Sequence, residues 1–583
     1  MHKGWASFAL LLLWTLPLFA QLSDERLSQL SQSRYWLILL HLKHGKSEID
    51  DKRFLLTDQT DFSPKAELEA TIRSLRDANQ SFLCRYPARI AWLRSEAPSL
   101  FEGMDDTHCK KLEETLHKEH IRYVTLVFPT AYINSPASMF GHTFVRLDKE
   151  KNLPLVGEAV NYAAQTDESN GLVYMVKGLA GGYKGYFSVL PYYQKIKEYN
   201  AMEQRDMWEY RLRMSEPEIR RMLYHLYELQ GIYEDYYFFT RNCSYNLLWL
   251  LDAAKGTTGF TDRFDYKAIP IDTIRVVQRA GLIDGVHYRP SRRKEMLAIA
   301  RKIRDIPKAR AFVKAYDPGV LKELNRREQA RIADLAILYL KHARSQKDMD
   351  KKRYVSKLHR LLRYRSRLPK VPKPKVKPPV DPLEGHLSAK LALGVDSSGD
   401  LAMTLKPAMH DIYDPQRGFV RGAYIDFLTL KVARSGFQSL DFVSVTSLAA
   451  TDRFFSPWSW RVRLAAERLW DEAIYMTAEG GVGKSVAVGN MLLFLLAEPK
   501  LCAGKNRRAA AVLHAGLLTE RGRMTAGAWF KKSYYDNGDI VRNGELFATW
   551  RFSRRYACNL KLHEDKIAPE RERRATLSLF YYF

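Results

Sequence analysis

Leu368-Pro369-Lys370-Val371-Pro372-Lys373-Pro374-Lys375-Val376-Lys377-Pro378-Pro379-Val380-Asp381-Pro382 divides the chain into two halves built on different periods. Its prolines impose an extended polyproline path and its lysines repel one another, so 368–382 reads as a linker. On the C-terminal side apolar residues recur at every second position, as in Leu387-Ala389-Leu391-Leu393, Trp460-Val462-Leu464 and Ala526-Ala528-Phe530. Such runs, separated by Gly, Asp, Asn, Ser and Arg turns, predict an antiparallel transmembrane β-barrel of about twelve strands over 383–583. A soluble β-sandwich or barrel is the alternative, because each strand signal is weak on its own. On the N-terminal side, 291–367 is basic and helical, with apolar faces at Leu297-Ile299-Ala300-Ile303 and Leu335-Ile337-Leu338-Leu340. It reads either as solvated helices or as a basic shelf against anionic lipid.

Length and charge narrow the setting. A chain of 583 residues exceeds what one core serves, and 46% hydrophobic residues exclude general disorder. Ninety-two Lys and Arg against 66 Asp and Glu give a formal charge of +26, which implies an anionic partner, nucleic acid or phospholipid headgroup. Residues 1–20 read as a signal peptide: His2 and Lys3 precede an apolar run from Phe8 to Phe19, too short for a comfortable membrane anchor. Export argues against nucleic acid. The final strand, Thr576-Leu577-Ser578-Leu579-Phe580-Tyr581-Tyr582-Phe583, ends on an aromatic, as outer-membrane barrel insertion signals do. The expected location is the outer membrane, with the N-terminal half in the periplasm. Five cysteines fit an oxidising compartment if Cys84 pairs with Cys109 and Cys502 with Cys558, leaving Cys243 as a reactive thiol. Gly480-Gly481-Val482-Gly483-Lys484-Ser485 imitates a phosphate loop, but Ala478 stands where its first glycine belongs and the flanks alternate as strands.

Residues 24–119 carry helical spacing and predict a small helical domain whose His41, His44 and His108 lack metal-ligand spacing; neither a metal nor a cofactor is expected. The next domain, 120–290, begins with a β-rich run, Tyr123 to Phe128, followed by strand candidates at Gly141 to Leu147 and Leu155 to Ala163. A hairpin near residue 150 brings Glu158 to Asn161 alongside His142. Gly178 to Gly185, with Gly181-Gly182, reads as a flap over a site. His225 reads as packing or solvated. Arg241-Asn242-Cys243-Ser244-Tyr245 then opens an apolar helix through Leu247-Leu248-Trp249-Leu250-Leu251. A helix N-terminus stabilises a thiolate and a histidine supplies the base, so Cys243 and His142 form a candidate nucleophilic pair. Asn161, or failing that Glu158, orients the imidazole.

A histidine on a strand before a cysteine on a helix resembles the permuted papain-like thiol enzymes of the NlpC and lecithin:retinol acyltransferase type. More closely, the stretch from about Thr125 to Ala254 resembles the N-terminal periplasmic domain of Lnb-type lipoprotein N-acyltransferases. The motifs are Asn134-Ser135-Pro136-Ala137-Ser138 with Phe140-Gly141-His142-Thr143, then Val160-Asn161-Tyr162-Ala163, Gly178-Leu179 through Gly185, Arg205-Asp206-Met207-Trp208-Glu209-Tyr210 and Arg241-Asn242-Cys243-Ser244-Tyr245. The implied fold class is α+β: a permuted papain-like domain with helical flanks, here followed by a barrel rather than by helical membrane spans. The resemblance implies acyl transfer from a phospholipid through a Cys243 thioester to an amine such as a lipoprotein N-terminus. Cys243, His142 and Asn161 are the expected catalytic residues, and Ser135, Glu158, Tyr162, Gly181, Gly182 and Asn242 the expected substrate-binding ones. Taken alone, the same pair serves a peptidase, amidase or lipase equally well, and a non-enzymatic envelope scaffold is a further reading.

Overall fold

The computed structural model describes residues 22–583 except 59, 61, 77, 105–106, 132–139, 152, 169–170, 347–348 and 568–569. The expected signal peptide and Ser135, with its Asn134-to-Ser138 motif, lie outside the described residues.

The N-terminal half is built on seven antiparallel strands: β1 (Tyr123–Pro129), β2 (Phe144–Asp148), β3 (Glu158–Gln165), β4 (Tyr183–Pro191), β5 (Met207–Leu212), β6 (Tyr233–Tyr236) and β7 (Ile283–Arg289). Their spatial order is β6-β4-β3-β2-β1-β5-β7. β1 and β2 are buried on both faces, which explains their nearly unbroken apolar runs. One face, through Val124, Leu126, Val145 and Val160, shares a core with the helix Cys243–Lys255; the other packs Val127, Phe144 and Ala159 on Tyr192 and Tyr199.

The helices of 24–119 are more than a cap. Trp36, Leu39 and Trp92 belong to the same core as Leu248 and Trp249. Glu48 accepts hydrogen bonds from Tyr245 Oη (2.6 Å) and Trp249 Nε1 (3.1 Å), so the Cys243 helix is braced from outside its own sheet. His41, fully buried and stacked on Trp249 at 4.5 Å, links Glu234 (2.8 Å) to His225 (2.9 Å), which places both histidines in one buried polar chain. Cys84 and Cys109 form the expected disulfide. The basic helices Arg292–Ala300, Ile306–Ala315, Arg326–Ser345 and Lys351–Ser366 bury a separate core around Ile299, Phe312, Leu335 and Leu361.

The C-terminal half is a closed antiparallel barrel of β8 (Lys390–Asp396), β9 (Leu401–Lys406), β10 (Ala408–His410), β11 (Ala423–Ala433), β12 (Gly436–Ser447), β13 (Ser459–Arg468), β14 (Ile474–Val488), β15 (Met491–Ala503), β16 (Arg507–Arg521), β17 (Met524–Tyr535), β18 (Ile540–Arg551), β19 (Tyr556–Ile567) and β20 (Glu570–Tyr582). β9 and β10 form one stave interrupted at Pro407, giving twelve; β8 pairs with β20, and β9 pairs with β8 and β11, so no edge is left. The alternation is apolar outside, and inside a charged network lies beside a small apolar cluster that includes Phe494 and Leu496. On β15, Leu493, Leu495 and Leu501 are exposed while Phe494, Leu496 and Glu498 are buried; Arg461, Arg463, Glu479, Glu498 and Lys500 cross-link inside. A soluble barrel has the opposite pattern, so this one spans a membrane. Residues 480–485 lie within β14, which is strand and not phosphate loop.

The expected Cys502–Cys558 pair does not form, and both thiols are free. Cys502 is on β15 and Cys558 on β19, with three strands between them, beyond the reach of a disulfide.

The two halves are docked, not merely tethered. Tyr210 donates to Asp381 (2.8 Å), Arg275 to the carbonyls of Pro382 and Gly385 (3.1 Å each), and Lys267 to the carbonyl of Pro407 (2.7 Å). Register shows which side of the barrel is involved. Ile425 and Phe427 pair with Val445 and Val443, which pair with the exposed Val462 and Leu464, so all four face outward. They are nevertheless buried, in one core with the sheet domain. The domain leans on the outer wall of β11 and β12.

Candidate active site

Asn242 sets the position of the sulfur. As N-cap of the Cys243 helix its Oδ1 accepts from the N–H groups of Ser244 (3.0 Å) and Tyr245 (3.2 Å), while its Nδ2 donates to the carbonyls of Phe238 (2.9 Å) and Ala268 (2.6 Å). Every polar atom of the amide is thereby engaged. Asn242 is a cap, worth about 1 kcal/mol, and not the substrate contact expected from sequence.

The turn before β2 supplies the histidine. Gly141 adopts φ +92°, where a Cβ would strike the Phe128 ring at 2.5 Å, so only glycine fits this turn. His142 Nε2–H donates to Asn161 Oδ1 at 2.7 Å, the partner preferred on sequence grounds, which leaves Nδ1 as the ring's basic atom. Glu158, an odd number of residues away on β3, projects to the opposite face, beside Glu119 and Lys149, and does not reach the imidazole. The Tyr199 ring lies 5.6 Å from the imidazole and within electrostatic reach of Cys243.

Donors surround the sulfur. The N–H groups of Thr143 and Ser244 and the hydroxyls of Tyr236 and Thr143 favour the thiolate. Tyr236 Oη accepts the N–H of Cys243 at 3.1 Å and keeps its own proton to give; the Thr143 hydroxyl is buried with no oxygen or nitrogen partner among the described residues. Tyr162, expected to touch substrate, instead stacks on Tyr236 at 5.9 Å and supports it from behind.

Electrostatically, burial favours the uncharged form of both groups of the candidate pair. Burial pushes the Cys243 thiol above its ordinary value despite those donors. Burial likewise pulls the His142 imidazole down to about 3, helped by the nearby cations of Lys195 and Arg205 and opposed by the Asn161 bond. The free protein should therefore show iodoacetamide labelling of Cys243 that rises with pH through and beyond pH 9, with no plateau in the acid range. Labelling at pH 6 as fast as at pH 9, followed by intact mass, would refute a neutral pair.

The glycines of 178–185 have a different task from the expected flap. At Gly178 a Cβ would meet the Phe238 ring at 2.2 Å, and at Gly181 (φ +77°) the Tyr237 ring at 2.2 Å. They admit the aromatic rings of the turn leading to Cys243, and Gly182, its N–H bonded to the Lys177 carbonyl (2.7 Å), closes the helix Gly171–Leu179 and leads into β4. Missed by the sequence reading were Thr143, Tyr236 and Tyr199; the adjacency of Thr143 to His142 was a usable signal, the other two were not.

Both turns end on the barrel. Phe140 and Phe239 lie 5.4 Å apart and 5.2 and 5.3 Å from Phe427 of the outer wall.

A buried cysteine at a helix N-terminus, with the buried His142–Asn161 pair on the adjoining sheet, lies in a domain docked against a transmembrane barrel, so the molecule is an envelope barrel protein with a candidate thiol site. Residues 111–280 match the family described as the Lnb N-terminal periplasmic domain. Residues 28–96, 286–378 and 379–582 match three families described as domains of unknown function. Among solved structures the chain is similar to KdgM porin in complex with disordered oligogalacturonate (12% identity, 34% of this chain and 99% of that chain, TM-score 0.23) and to NanC porin (7%, 34% and 100%, TM-score 0.25). It is also similar to an anion-selective porin from Comamonas acidovorans (10%, 34% and 97%, TM-score 0.19). No curated protein matches it. The chain thus joins a periplasmic Lnb-type domain to an outer-membrane barrel.

Proposed function

We propose that the protein is an envelope thiol acyltransferase with a permuted papain-like site, which takes an acyl chain from a membrane lipid and passes it to an amine, in the first instance a lipoprotein N-terminus. The observation that carries this reading is the aromatic contact of Phe140 and Phe239 with Phe427: the turns bearing His142 and Cys243 rest on the lipid-facing wall of a barrel, where ester-bearing lipids are the neighbours.

In the first half-reaction His142 Nδ1 takes the thiol proton as Sγ attacks the lipid ester carbonyl. The Thr143 N–H and hydroxyl and the Tyr236 hydroxyl stand ready for developing negative charge. The carbon–oxygen bond breaks, the proton passes from the imidazolium to the leaving alcohol, and a thioester remains. In the second half-reaction a neutral amine attacks the thioester, the sulfur leaves, and the amine's surplus proton returns through His142 to the thiol. Cys243 is 3% exposed, which keeps water from competing and favours transfer over hydrolysis.

The test is the intact mass of protein purified from lipid-bearing cells, with and without hydroxylamine, together with mass spectrometry of lipoproteins from cells lacking the protein. A hydroxylamine-labile acyl adduct and loss of N-acylation are expected. Free fatty acid released without any N-acylated product would instead mark a hydrolase.

A further inference from the structure

Between the sheet domain, the basic helices and the periplasmic rim of the barrel lies a cavity of about 1380 Å³. Seven cationic side chains line it against three carboxylates, and each carboxylate is taken: Glu203 by Arg205 (2.9 Å), Asp452 by Arg293 (2.6 Å) and Asp206 by Lys294 (2.5 Å). Arg301, Arg310, Arg421 and Arg453 remain, exposed and in no ion pair among the described residues, Arg421 feeling only the more distant Glu520 carboxylate. Arg310 donates to the carbonyl of Arg453 (2.6 Å) and Arg421 to that of Gly489 (3.4 Å), which ties guanidinium groups from helix and barrel to one rim.

The cavity's other walls are apolar, with Trp208, Leu448 and Leu492, and Trp458 stands 65% exposed at its border. Exposed tryptophan on a barrel rim marks the headgroup level of a bilayer. The cavity also backs onto the thiol site. Arg205 donates to the carbonyls of Thr130 (2.6 Å) and Pro129 (2.8 Å), and Pro129 O accepts the N–H of His142 (3.3 Å).

We infer that this cavity binds the phosphate of a membrane glycerophospholipid, with the four unpaired arginines as its ligands and the apolar wall against the glycerol and first methylenes. Guanidinium matches phosphate oxygens in paired hydrogen bonds, and four such groups in excess of the ion-paired ones form a site for an anion rather than a solvated face. A free phosphate ion shares the headgroup chemistry but has no use for the apolar wall. This names the donor lipid of the acyl-transfer reading, and rests on that reading only for what the bound lipid is used for.

The test is calorimetric titration of the full chain in uncharged detergent with three probes: dihexanoyl-phosphatidylglycerol, dihexanoylglycerol and inorganic phosphate. Wild type should bind the phospholipid at least tenfold more tightly than either other probe. The quadruple variant Arg301→Gln, Arg310→Gln, Arg421→Gln, Arg453→Gln changes only exposed side chains and should weaken phospholipid binding tenfold or more at unchanged circular dichroism. Equal affinity in the variant overturns the inference, as does inorganic phosphate binding as tightly as the phospholipid, the mark of a free-anion site. Cys243→Ser should bind like wild type, so a failed acyl-transfer assay with intact, arginine-dependent binding would sink the enzymatic reading and leave the lipid site standing.

Discussion

Cys243→Ser should lower acyl transfer by about four orders of magnitude or more and abolish the hydroxylamine-labile adduct, while leaving the fold and the barrel unchanged. Burial holds the thiol protonated and His142 neutral, so the step that matters is proton transfer to Nδ1 at the moment of attack. A serine hydroxyl is far less acidic than a thiol, and the site's donors are already insufficient to ionise sulfur, so oxygen at this position stays inert. The change adds no volume and removes no hydrogen bond of the backbone N–H, which goes to Tyr236. A companion variant, Asn161→Ala, keeps the nucleophile and releases the imidazole from its 2.7 Å partner; it should cost about 10²-fold, because the ring then samples the wrong tautomer. Cells in which Cys243→Ser restores every phenotype would instead point to a scaffold without chemistry. Lipoprotein mass spectra from the complemented strain decide between these outcomes.

Why sequence revealed the pair but not its supports follows from the range of the contacts. His142, in the turn before β2, and Asn161 on the neighbouring β3 are 19 residues apart, and a hairpin expectation suffices to join them. The helix at Cys243 is announced by its own apolar run, and the barrel by period-two alternation over hundreds of residues. By contrast, Glu48 meets Tyr245 and Trp249 across about 200 residues of chain, and His41 meets Glu234 across 193. No local pattern encodes such pairings, so the N-terminal helices read as a separate cap although they hold the Cys243 helix in place. Gly181 illustrates a different failure. A glycine-rich run permits either mobility or close approach, and only the position of the Tyr237 ring separates the two. The cysteine count erred for the same reason: parity suggested a second disulfide, but strand order keeps Cys502 and Cys558 apart. Phe427 was the least legible residue of all. Its alternation is that of any lipid-facing position, and nothing local says that protein rather than lipid covers it.

That residue supplies the second large effect. Phe427→Asp should detach the thiol site from the barrel wall without unfolding the barrel. The side chain points out of the barrel, so its strand keeps every ladder hydrogen bond to β12, and heat-modifiable migration on gels should be retained. On the other side, a carboxylate would sit among Phe140, Phe239, Ile425 and Val445 with no described partner, which costs several kcal/mol unless the surfaces part. Parting exposes the turns at Phe140 and Phe239 and brings water to Cys243. Since burial is what raises the thiol, hydration lowers it towards its ordinary value, and iodoacetamide labelling at pH 8 should quicken about tenfold even as transfer from membrane lipid falls about a hundredfold. The two rates moving in opposite directions is the diagnostic result, because general unfolding would also destroy the barrel's gel shift and simple loss of the nucleophile would slow both. Phe427→Leu keeps an apolar contact and should change neither rate by more than about threefold. If Phe427→Asp leaves labelling and transfer as they are in wild type, the aromatic contact does not position the site, and the outer wall is only where the domain happens to rest.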